Sequence, residues 1–157
     1  MAVQVIEPGG AVPPEENIYR ALNPRHFEDG LPVDNHFVMT RRDRLGDGVS
    51  TGITSLISLS QLRSIETIRQ RYGDDFGVAE LNVAEALAPV RHIGIGLLQS
   101  NAPDWGAFAG AHAVITGYQL LRGDDRKKRM QDFQRHLVQL ARKRFYPAGS
   151  SVPLGSE

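Results

Sequence analysis

Three side-chain groups on separate segments of this sequence could act together on one charged substrate: Arg20, the Ser50-Thr51 pair and Glu80. An arginine presents a planar fork of donors that matches phosphate oxygens two at a time. A carboxylate in a water-poor site stabilises positive charge as it develops in a transition state. Glu80 shares the parity of Phe76 and Val78, so a regular strand sets its carboxylate beside apolar neighbours. There it needs a partner, either a substrate or an arginine in a structural ion pair. His112, between Ala111 and Ala113 at the start of an apolar run, is a candidate general base, with a bond to backbone as its plainer role.

The order Arg, Ser-Thr, Glu resembles the Arg, Ser-Thr-Ser, Glu triad of mono-ADP-ribosyltransferases. That resemblance implies an NAD-using enzyme in which Arg20 binds the dinucleotide, Ser50 and Thr51 shape the nicotinamide pocket, and Glu80 steadies the sugar cation as nicotinamide leaves. It covers isolated positions. Gly52 stands where the second serine of the motif falls, and no Glu-x-Glu or Gln-x-Glu pair leads into Glu80.

A second candidate chemistry is electrostatic. From Arg122 to Tyr146 nine Lys or Arg stand against three Asp, a local excess of +6 in a chain whose formal charge is zero. Arg126, Lys127, Lys128 and Arg129 at one end, with Arg142, Lys143 and Arg144 at the other, could contact nucleic-acid phosphates. A solvated helix whose C-terminal cations complement its dipole accounts for the same residues. A protein partner is a third candidate, with Trp105 and Phe108 as exposed anchors; the same two rings could instead plug the edge of the core.

The elements that must position these groups are legible from periodicity and punctuation. Strands are expected at 18–22, ended by Asn23-Pro24, and at 36–40, and a loop or hairpin over the glycine-rich Gly46-Asp47-Gly48 leads into a Ser-Thr segment at 49–53. Ser58 and Gln61 have capping-box spacing, and Leu59, Leu62, Ile65 and Ile68 follow, which predicts a helix over 59–72 stopped by Gly73. Further strands are expected at 76–83, at 91–98 and at 112–118, with a helical turn at 84–87 and a loop at 101–110. Asp124 would cap a helix over 125–145 whose apolar stripe is Met130, Phe133, Leu137, Leu140, Ala141 and Phe145. This order predicts an α+β fold, a mostly antiparallel curved sheet with two main helices packed on it.

The 157 residues, 41% hydrophobic, suit one domain, expected over 18–146 between a flexible leader (1–17) and a flexible tail (147–157). The chain has no cysteine, which removes disulfides, thiolate nucleophiles and cysteine-held metals. The five histidines have no metal-ligand spacing, so no metal is predicted. Phosphate-binding glycine loops and the HExxH, GxSxG and EF-hand motifs are missing. Neither an apolar run of about 20 residues nor a basic, apolar leader is visible, so the expectation is a cytoplasmic protein without a membrane segment.

Overall fold

A computed structural model describes residues 9–23, 32, 49–74, 76–90, 95–116 and 126–147. The strand expected at 36–40, the loop at 46–48 and the helix cap at Asp124 lie outside the described residues. Six strands form one open sheet: β1 (Asn17–Leu22), β2 (Val49–Ile53), β3 (Gly77–Asn82), β4 (Gly96–Gln99), β5 (His112–Thr116) and β6 (Phe145–Tyr146). Their order is β4-β5-β2-β1-β3-β6, and every neighbouring pair is antiparallel. The described helices are α1 (Leu59–Arg63), α2 (Glu66–Tyr72), α3 (Val83–Leu87) and α4 (Arg126–Lys143), with a 3₁₀ segment over Pro103–Ala111. This is the α+β architecture expected from the sequence.

Apolar residues occupy both faces of the sheet. On β1, Ile18 and Leu22 point to one side and join Phe133, Leu137 and Ala141 of α4 in a buried cluster. Tyr19 and Ala21 alternate to the other side, where they pack with Ile57, Leu62 and Trp105. The stripe read along α4 is therefore its sheet-facing side, and Val138 is buried with it.

Two helix boundaries differ from expectation. The capping box at Ser58 and Gln61 forms, but the helix breaks after five residues. The Ser64 hydroxyl donates to the Gln61 carbonyl at 2.6 Å, and Ile65 turns extended (φ −70°, ψ 116°) before α2 begins. A side chain that competes for the last carbonyls ends the helix, and the buried Ile65 enters the core from the break. At the other end, α4 stops at Lys143, and Phe145 is a strand residue. Its partner is Ala79, and Tyr146 pairs with Val78, which covers the outer edge of β3.

The described part of the segment expected to be a flexible leader is tied to β4. Val12 N–H donates to the Leu97 carbonyl at 2.9 Å, Gln99 N–H donates to the Gly10 carbonyl at 2.8 Å, and the Val12 side chain is buried. The open edge of β4 is thereby paired rather than left for another chain.

Candidate functional site

β2 lies between β1 and β5, and this adjacency builds the site. Gly52 pairs with His112 across β2 and β5, and Ser50 pairs with Val114. Ser50 and His112 are therefore diagonal neighbours on one face, close enough for side chains to meet. Tyr19 pairs with Gly52 from the other side and extends the same face. A cavity of about 230 Å³ opens on it, lined by Tyr19, Arg20, Ser50, Thr51, Trp105 and His112, among others, with Arg71 and Tyr72 of α2 closing one side.

Ser50 Oγ and His112 Nε2 are 2.7 Å apart, and His112 Nδ1 lies 2.7 Å from the Ser100 carbonyl. A carbonyl only accepts, so Nδ1 carries the hydrogen, and the bare Nε2 accepts the Ser50 hydroxyl. Burial pushes the imidazole below its ordinary value of 6.5; the Ser100 bond and the Asp104 charge oppose it, and the Arg20 cation adds the smallest effect, again downward. The ring is thus neutral at pH 7, oriented at one nitrogen and basic at the other, which is the arrangement of a general base with a hydroxyl in its reach. Trp105 packs edge-to-face on it, with ring centres 4.7 Å apart.

Arg20 is only 4% exposed. Its Nη1 donates to the Ser50 carbonyl at 2.8 Å. Registered β1–β2 pairing covers Ile18–Ile53 and Tyr19–Gly52, and the guanidinium takes a carbonyl beyond it. Strand alternation starts the Arg20 side chain on the Ile18 and Leu22 side of β1, and the residue joins the cavity lining where it meets the Ser50 backbone. Thr51, which also lines the cavity, is buried, and its hydroxyl donates to the Ala113 carbonyl at 2.9 Å.

Of the residues singled out from the sequence, Arg20, Ser50 and Thr51 meet at this cavity, and Glu80 does not line it. Glu80 pairs with Tyr19 from β3, on the far side of β1. Its carboxylate accepts from Asn17 at 2.9 Å, from Arg144 at 3.2 Å and from the Tyr146 hydroxyl at 3.2 Å. Its side chain is 12% exposed, and the Arg144 bridge is the structural ion pair that a strand-borne carboxylate needs. Tyr19 stands between the two regions, its phenol raised above 10.0 first by burial and then by the Glu80 charge.

Gly52, which departs from the Ser-Thr-Ser pattern, has a local reason. A Cβ there would lie 3.3 Å from Ile57 Cγ2 and 3.4 Å from the Trp105 ring. The missing side chain lets Trp105 lie against the sheet. Trp105 is accordingly 7% exposed and Phe108 half-buried, so both plug the core rather than project as anchors. On α4, Lys128, Arg129 and Lys143 are exposed, while the side chains of Arg126 and Lys127 lie outside the described residues. Arg142 donates to the Pro32 carbonyl, and Arg144 belongs to the Glu80 network.

His112 is the functional candidate that sequence reading undervalued. Its one visible signal was a polar ring at the head of an apolar strand. Among the described residues no cluster of three metal-binding side chains is present, and no helix is long and apolar enough to cross a membrane. No family model, curated protein or solved structure matches this chain.

Proposed function

We propose that this chain is an ADP-ribosyltransferase-like enzyme that takes NAD into the cavity at Arg20, Ser50 and His112. The observation that carries the reading is the convergence of Arg20, Ser50 and Thr51, from strands about 30 residues apart in sequence, beside a neutral, carbonyl-anchored histidine. Arg20 supplies a cation for the pyrophosphate. Trp105, Tyr19 and Tyr72 supply aromatic walls for a planar ring. In the reaction the bond from the sugar C1′ to the nicotinamide nitrogen breaks, and its electron pair leaves with nicotinamide. An acceptor nucleophile bonds to C1′, and its proton passes to His112 Nε2 directly or through the Ser50 hydroxyl. In this scheme His112 replaces Glu80 as the third group, and Glu80 is structural.

The test is nicotinamide release from NAD by purified protein. Arg20→Ala is expected to abolish both this release and the rise in unfolding midpoint caused by millimolar NAD. His112→Gln is expected to lower release by about 10²-fold or more, the usual share of a general base. Glu80→Gln is expected to leave release within about threefold of wild type, because it touches no substrate. Wild-type protein that neither binds NAD nor releases nicotinamide would end this reading.

The Ser50–His112 contact also favours a second reading, a serine nucleophile activated by its histidine. A fluorophosphonate that labels Ser50 in wild type but not in His112→Gln would support it. The first reading expects no labelling.

A further inference from the structure

We infer that the ligand of this cavity is longer than the cavity itself, and that its second half lies between α2 and Asp104, where Arg71 holds its charged group. The inference rests on the proposed function and assigns the adenylate half of the dinucleotide to residues that function does not use.

Size is the first ground. A cavity of about 230 Å³ is smaller than the roughly 300 Å³ at which ligand clefts begin. A second cavity of about 390 Å³, lined by Thr67, Gln70, Arg71 and Asp104, adjoins it. Thr67, Arg71 and Asp104 line both, so the two form one groove that reaches the range of an elongated ligand.

Chemistry is the second ground. The first cavity is walled by aromatic rings and ends at Ser50 and His112, whereas every residue lining the second carries a polar or charged group. Arg71 lies over the Tyr72 ring at 5.0 Å from its centre, which sets a cation at the junction. The Thr67 hydroxyl at the same junction is shielded and has no hydrogen-bond partner among the described residues, and a buried polar atom without a partner is costly. The adenylate phosphate placed there would accept from Arg71 and Thr67 while the nicotinamide-side phosphate stays with Arg20, and the adjoining sugar hydroxyls would donate to the exposed Asp104. A ring at one end, phosphates along the middle and a sugar at the other end describe a dinucleotide better than a mononucleotide.

The experiment is titration calorimetry of the full chain with NAD and with nicotinamide mononucleotide. Wild type is expected to bind NAD more tightly. Arg71→Gln should weaken NAD about tenfold, the scale of one charged contact, and leave the mononucleotide within about twofold. Arg71→Lys should recover most of the loss. If Arg71→Gln loses its fold by circular dichroism, Asp104→Ala on the opposite wall takes its place with the same expected split. NAD and mononucleotide weakened alike, NAD left unweakened, or wild type binding both equally would overturn the second half-site and leave the proposed function standing. Wild type binding neither ligand would overturn both.

Discussion

His112 and Gly52 show how single residues carry the site. Because burial lowers the His112 imidazole below 6.5, the unfolded chain binds a proton there more readily than the folded one. The group costs nothing above pH 6.5, where both states are neutral. As pH falls from 6.5 towards the depressed folded value, stability is lost, and below that value the loss is complete. Unfolding midpoints measured over this window should therefore fall more steeply for wild type than for His112→Gln; parallel curves would show that the ring is not held neutral. Gly52→Ala brings a Cβ to 3.3 Å of Ile57 and 3.4 Å of Trp105, so something must shift. Overpacking of this kind costs about 1–3 kcal/mol. Denaturant unfolding should show that cost together with a change in Trp105 fluorescence, and an unchanged spectrum with unchanged stability would mean that the ring is not seated on β2.

Among the elements, α4 was the most legible, because a stripe at helical spacing admits one sheet-facing side. Leu137 is fully buried at its centre. Leu137→Ala is expected to cost about 2–5 kcal/mol by denaturant titration, as large-to-small changes at closed core sites do. A smaller effect would mean that α4 rests loosely on the sheet. The ends of the helices were less legible. Phe145 continues the helical spacing of α4, yet it is spent on the edge of β3, where unpaired backbone groups outweigh one more helical residue. The break at Ser64 and Ile65 likewise came from a side chain bonding to Gln61, which an unbroken apolar period does not reveal. Val12 lies in a proline-rich stretch that reads as unstructured, and its docking depends on an edge formed by residues over 80 positions away.

At the scale of the whole molecule, the strand order decides which residues share a site. Composition and periodicity by themselves determined the α+β class, the apolar stripe of α4 and the capping box at Ser58, while the candidacy of Arg20, Ser50 and Thr51 came from residue type and the resemblance in their order. These follow from local rules, since alternation and helical spacing need no knowledge of what lies opposite. The third member of the group was decided only by the tertiary structure. Glu80 and His112 are both polar residues on apolar strands, and nothing within either strand says which one faces Ser50. The sheet does: β5 pairs with β2, which brings His112 to 2.7 Å of Ser50, while β3 pairs with β1 and hands Glu80 to Asn17, Arg144 and Tyr146. Pairing between distant strands depends on how all six bury their apolar faces together, and that balance is a property of the folded chain rather than of any segment.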